Sequence, residues 1–321
     1  MMMAENLVSQ DIVDRFVKLL ASKRLAHAYL FVGPKRIGKS ETALSVAKLV
    51  NCERPSKEGF CDGCSSCLKI KNQRHPDVHI VAKEEASIKI EDIREVMTQS
   101  QLRSFEAKEK VFIITEVERL TLEASNALLK TLEEPTNNTL ILLTTSALDR
   151  VLDTIKSRCQ ILYFFPLSHE EMEKNFSLKE HVSETEAHFL ASFSEGCPGR
   201  IAPGEHSQVL ERRNEAIDQF IFSDNDDVYL KKILADEAQT AQMIHFLFCW
   251  FKDLMLLKTN ITKAHLVNAD RLSDLQRSSG HYSFEELEDI LEDLVAARKA
   301  LEGNFNVKIA LAILKEKTWK K

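Results

Sequence analysis

The sequence predicts an α/β domain on a parallel sheet followed by a helical remainder, and three observations carry this. Short apolar runs alternate with amphipathic helical stretches from about residue 10 to 165. A glycine- and lysine-bearing octapeptide, "GPKRIGKS" (33–40), separates the first apolar run from a helical stretch. After "PLSHEEMEK" (166–174) the strand-like runs stop and helical spacing takes over. Strands interleaved with helices are covered on both faces, so they read as continuous apolar runs.

In order, "IVDRFVKLLAS" has helical spacing, "HAYLFV" is a short strand and "SETALSVAKLV" an amphipathic helix. A cysteine-rich segment follows, then the extended "DVHIVA", a helix through "EDIREVMTQSQL" and the strand "KVFIIT". A helix through "LEASNALLKTLEE", stopped by Pro135, and the strand "TLILLTTS" complete the alternation. Residues 168 to about 205 read as short helices ending at "GCPGRIAPG". Beyond 207 everything is helical; "SFEELEDILEDLVAARKAL" puts Phe284, Leu287, Leu291, Leu294 and Leu301 on one face, a core or subunit contact. The predicted organisation is therefore an α/β domain over 1–167, a small helical domain over 168–206 and an all-helical domain over 207–321.

Bulk properties narrow the function. With 44% hydrophobic and 29% charged residues and no apolar run long enough to span a bilayer, the 321-residue chain reads as soluble. Its start lacks the basic-then-apolar pattern of a secretory signal, so a cytoplasmic protein with no membrane role is expected. The net charge of −6 argues against a stand-alone nucleic-acid binder, whose affinity comes from phosphate neutralisation. Contact with DNA is expected to be shared with partners.

The octapeptide matches G-x-x-x-x-G-K-[ST] through Gly33, Gly38, Lys39 and Ser40. Glycines let backbone N–H groups turn onto phosphates, the lysine reaches the β/γ oxygens, and the hydroxyl ligates Mg²⁺. The strand before it and the helix after it supply the context this motif requires, which predicts an ATP/Mg²⁺ loop. Hydrolysis also needs a carboxylate near the metal. At the end of "KVFIIT" the chain has Thr115 in that place, followed by Glu116 in the water-activating position. Poor or absent ATP hydrolysis is therefore expected, with Glu116 vestigial.

Four of the seven cysteines fall close together as Cys52, Cys61, Cys64 and Cys67. C-x₈-C-x₂-C-x₂-C offers four thiolates to one Zn²⁺, and a closed shell makes the ion structural, where the segment has too few apolar residues for a core.

Taken together, these residues resemble the clamp-loader subunits of bacterial DNA polymerase III, of the AAA+ class and the delta-prime type. "LAHAYLFVGPKRIGKSETA" is similar to the opening strand and loop, the cysteine set to the family's zinc knuckle (52–67), and "EVERLTLEASNALLKTLEEP" to its most recognisable segment. "TIKSRCQ" carries Ser157, Arg158 and Cys159 of its Ser-Arg-Cys motif; "WFKDLMLLK" and "NFNVKIALAILK" resemble the collar. The resemblance implies an AAA+ domain, a helical lid and a collar that joins subunits. It also implies a hetero-pentamer with gamma/tau and delta subunits that loads a sliding clamp onto primed DNA. Arg158 is implied as an arginine finger serving the neighbouring ATP site, where such a finger is worth about 10³–10⁵ in rate. Thr145 and Ser146 stand where the family places a γ-phosphate sensor, Arg200 in its second sensor region, and Arg94 and Arg103 near a DNA-facing helix. The alternative is the ATP-hydrolysing gamma/tau motor of the same ring, against which Thr115 weighs; a more distant one is another AAA+ remodeller.

Overall fold

A computed structural model describes residues 7–56, 59–83, 87–136, 138–180, 182–202, 204–223, 227–259, 266–303 and 307–318. The first residues of the amino-terminal reading, Pro203 of the glycine-proline stretch and residues 304–306 of the collar segment lie outside these. The chain divides into two compact units, Met1–Leu167 with Gly196–Arg200, and Ser168–Glu195 with Ile201–Lys321.

The first unit contains α1 (Leu7–Ala21), β1 (Ala28–Val32), α2 (Lys39–Asn51), α3 (Ser65–Lys71), β2 (Val78–Val81) and α4 (Ile90–Gln101). It continues through β3 (Lys110–Ile114), α5 (Leu122–Glu133), β4 (Thr139–Thr145), α6 (Asp153–Lys156) and β5 (Gln160–Tyr163). The strands form one five-stranded sheet in the order β2-β3-β4-β1-β5, with every pairing parallel. β1, β3 and β4 are buried along their whole length, as a sheet covered on both faces requires. Alternate residues feed two cores. Tyr29, Phe31, Val111, Ile113, Leu140 and Leu142 pack with Phe16 of α1 and Val46 of α2. Their neighbours Leu30, Val32, Ile114, Ile141 and Leu143 pack with Ile93 of α4 and Leu128 of α5 on the other side.

Four strands are legible as apolar runs; β5 is the addition. Only four residues long and buried at Leu162 alone, it opens the apolar run "ILYFF" (161–165), which the alternation read from sequence leaves unassigned. It pairs with β1 from Tyr29↔Gln160 to Val32↔Tyr163 and closes that side of the sheet.

The second unit contains α7 (His169–Glu180), α8 (Glu184–Ser194), α9 (His206–Ile221), α10 (Asp227–Ile233), α11 (Glu237–Lys258), α12 (Leu272–Ser279), α13 (Phe284–Glu302) and α14 (Val307–Thr318). Trp250, Phe246 and Phe251 of α11 are fully buried in it. Arg213 is buried as well, its guanidinium 4.3 Å from the Phe189 ring and 2.5 Å from an Asp270 oxygen. Along α13 the buried stripe is Leu287, Ile290, Leu294 and Ala297, whereas Phe284 is exposed. Of the face read from sequence, Leu287 and Leu294 are buried and Leu291 and Leu301 half-buried, while Phe284, the first residue after the Ser283 cap, stays exposed.

Candidate functional site

The octapeptide links the carboxyl end of β1 to the amino terminus of α2, at the centre of the sheet. Gly33 donates its N–H to the Thr145 carbonyl at 3.2 Å. A Cβ on Gly33 would stand 2.7 Å from the Phe164 carbonyl oxygen, so only glycine fits. Gly38 takes φ 106, in the left-handed region, and its carbonyl receives the Thr42 N–H and hydroxyl at 2.9 and 2.7 Å. No side chain caps the first N–H groups of α2, which leaves that terminus suited to an anion.

Lys39 is buried, with its ammonium on the carbonyls of Gly33 and Pro34 at 2.7 Å each. The loop thus holds its own lysine on backbone carbonyls. Burial pushes the Lys39 pKa down, opposed first by Glu118 and then by Glu116. The donor set fits a triphosphate: a glycine turn, an uncapped helix terminus, a lysine and the half-buried Ser40.

The acidic side differs from the sequence reading in one residue. The Thr115 hydroxyl is turned away from the loop, 3.3 Å from the Val81 carbonyl, and its N–H also goes to Val81. Glu116 has φ 52, gives its N–H to the Thr144 hydroxyl at 3.1 Å and pairs with Arg119 at 2.9 Å. The acid that reasoning from sequence missed is Glu118. Its Oε1 accepts the Ser146 N–H and hydroxyl at 2.9 and 2.7 Å, while its buried Oε2 has no hydrogen-bond partner among the described residues. Burial pushes the Glu118 carboxyl up, but Ser146 outweighs it and holds the group below the usual carboxylate range. Nothing in "TEVER" marks the second glutamate as the inward one; only its environment does.

Thr145 is fully buried, its hydroxyl oxygen accepts the Ala147 N–H at 3.1 Å, and its side chain joins Ser146 in lowering the Glu118 pKa. Gly199 gives its N–H to the Arg36 carbonyl at 2.9 Å, bringing Arg200 one residue from the loop. A Cβ on Gly199 would lie 2.7 Å from that same oxygen, so the close approach needs glycine.

Arg158 follows α6 and pairs with Glu133 at 2.7 Å, with a further bond to the Thr154 carbonyl at 3.0 Å. Both partners are substantially exposed, so this pair holds the arginine by little. Cys159 beside it is a core thiol whose pKa burial pushes up to about 12. Arg94 and Arg103 are both exposed on or just beyond α4.

The structure gathers Cys52, Cys61, Cys64 and Cys67, their sulfurs all within 4.8 Å of one another and none in a disulfide. Cys52 ends α2 and Cys64 caps α3, so two helix termini fix the set. The Cys61 N–H lies 3.4 Å from the Cys52 sulfur, and the Cys67 N–H the same distance from the Cys64 sulfur. The Gly63 N–H is the main cause that brings the Cys61 thiol down to about 6, within reach of a thiolate at neutral pH. Packing on the set comes from Phe60, over which Lys48 places its ammonium at 4.9 Å while pairing with Asp62 at 2.6 Å. Four clustered sulfurs fit a tetrahedral metal, for which Zn–S is about 2.3 Å.

A parallel sheet with a phosphate-loop motif after β1, followed by a helical carboxyl-terminal part, is an α/β fold resembling the AAA+ P-loop class. The chain belongs to the family described as DNA polymerase III, delta subunit, whose family model matches residues 8–168, with the model of the C-terminal part matching 207–315. It is 35% identical to DNA polymerase III subunit delta' of Bacillus subtilis over 211 residues, 64% of this chain and 64% of that protein. It therefore spans just under two thirds of that relative's length. With subunit delta' of Escherichia coli it shares 27% identity over 294 residues, 89% of this chain and 87% of the other. Subunit tau of Bacillus subtilis is 33% identical over 198 residues, 60% of this chain but only 35% of tau. A solved DNA polymerase III gamma subunit-related protein from Thermotoga maritima shares the fold, with a TM-score of 0.54 over 97% of this chain and 100% of that one at 17% identity.

Proposed function

We propose that the chain is a delta-prime-type subunit of a bacterial clamp loader, lending Arg158 to a neighbour's ATP site while its own phosphate loop turns nucleotide over poorly. The observation that carries this reading is Thr115, an uncharged side chain whose hydroxyl is turned to the Val81 carbonyl where the metal needs a carboxylate. Its partners are gamma/tau and delta subunits in a hetero-pentamer, and through them the sliding clamp and primed DNA. Residues 168–206 act as the lid and 207–321 as the collar. Arg158 leaves Glu133 on assembly, and its permanently charged, planar guanidinium then faces the neighbour's phosphates. In this chain the N–H groups at the start of α2, Lys39 and Ser40 hold ATP/Mg²⁺, with Ser146 and Arg200 beside them. Cys52, Cys61, Cys64 and Cys67 hold a structural Zn²⁺, which substitutes for a core in their segment.

ATP turnover by the isolated chain, and by the reconstituted ring with Arg158→Ala, tests this. Negligible turnover alone and a loss of about 10³-fold or more at the neighbouring site are expected. Steady turnover by the isolated chain, abolished by Lys39→Ala, would overturn it.

One observation favours the motor reading. Glu118 sets an unpartnered buried carboxylate oxygen near Lys39, beside Ser146, and is the acid felt most by that lysine. If Glu118 takes the metal-organising place, the isolated chain hydrolyses ATP and Glu118→Gln abolishes it with nucleotide binding retained.

A further inference from the structure

A second cluster of metal-ligating side chains lies in the helical unit, away from the cysteines. His169 and Glu173 are four residues apart on α7, hence on one helix face, and His188 projects from α8 to meet them. His169 Nε2 lies 3.1 Å from His188 Nδ1 and 3.3 Å from Glu173 Oε1, and His188 Nδ1 lies 2.6 Å from that oxygen. The remaining nitrogen of His188, Nε2, is 3.0 Å from the Leu266 carbonyl. That carbonyl can only accept, so Nε2 donates to it and Nδ1 is the nitrogen left facing the cluster. Two imidazole nitrogens and a carboxylate oxygen thus converge within 3.3 Å of one another. A backbone carbonyl on the outer nitrogen is the support that metal-binding histidines almost always have.

We propose that His169, Glu173 and His188 bind a divalent first-row transition cation of the Zn²⁺ class, fastening α7 to α8. Tetrahedral bonds of about 2.0–2.1 Å set ligand atoms about 3.3 Å apart, close to two of the three separations. The third opens by a fraction of an ångström as the cation displaces the direct contact. Water fills the fourth position, and the imidazole and carboxylate donors select against Ca²⁺ and Mg²⁺, which take oxygen ligands. The alternative occupant is a proton on His188 Nδ1, which makes the cluster a plain ion pair with Glu173.

The test uses the full-length protein as purified, with its zinc content measured and ZnCl₂ then titrated by calorimetry. The wild type takes up one more equivalent than the His169→Gln, His188→Gln double variant, and His169→Gln alone weakens that uptake by about tenfold or more. Because the reading is the difference between variants, an empty or full cysteine site leaves it unchanged. Co²⁺ at this site adds visible absorption without a thiolate charge-transfer band. His169→Gln removes an exposed side chain, and its unaltered circular dichroism separates lost ligation from lost folding. Equal uptake by wild type and both variants, or no uptake beyond the cysteine site, overturns the proposal.

Discussion

Asp77 organises a whole connection with one carboxylate. Buried just before β2, it accepts the N–H groups of Phe105, Glu106 and Ala107 at 2.8 to 3.0 Å. Burial pushes its pKa up, but the three N–H groups outweigh this and hold it below the usual carboxylate range. A carboxyl depressed on folding contributes stability above its unfolded value of about 3.9, and that contribution is lost as pH falls through the lower folded value. Asp77→Asn is expected to cost about 1–3 kcal/mol at neutral pH, measured by urea unfolding. The gap between variant and wild type should close in the acid range; a gap independent of pH would refute the assignment.

Helix ends and loop approaches decide the element scale. Lys110, the first residue of β3, is buried with its ammonium on the carbonyls of Gln99, Ser100 and Leu102, closing the carboxyl end of α4. Lys110→Met leaves those carbonyls without their donor and should lower stability by about 1–3 kcal/mol, read by thermal or urea unfolding. At the phosphate loop, Gly33→Ala forces a Cβ against the backbone of Phe164, which itself donates to the Val32 carbonyl at 2.7 Å. Since backbone must give way, a loss of about 1–3 kcal/mol is expected together with weaker binding of a fluorescent ATP analogue. Gly204, which has open space around its Cβ, gives a contrasting position, although its φ of +83 disfavours other residues.

At the scale of the whole molecule, the Arg158–Glu133 pair bears on the proposed assembly, and the cysteine cluster on the stability of its own segment. An exposed ion pair contributes about 0–1 kcal/mol, so releasing Arg158 costs little. Glu133→Gln should leave ATP turnover by the reconstituted ring unchanged or slightly raised, whereas Arg158→Lys should lower it because a lysine lacks the planar fork. Cys64→Ser removes a proposed zinc ligand that also caps α3; it should abolish zinc uptake by the cluster and lower Tm, by about 2–4 °C per kcal/mol lost. Zinc analysis and a melting curve on the same sample check both.

The phosphate loop, the cysteine spacing and the buried strands were legible in the sequence because each is contiguous chemistry. Gly33, Gly38, Lys39 and Ser40 lie within eight residues, and β1, β3 and β4 announce themselves by unbroken apolarity. Tertiary structure alone decided the rest. β5 opens an apolar run whose length does not tell strand from loop, and it becomes a strand by pairing with β1. Glu116 and Glu118 are the same residue type two positions apart, yet one faces Arg119 and the other is buried against Ser146. His169 and Glu173 share α7 but His188 comes from α8, and Leu266, whose carbonyl orients His188, lies 78 residues beyond it. A local motif fixes which atoms are available. Which of them meet, and with what charge and solvent around them, is set by packing between segments distant in the chain.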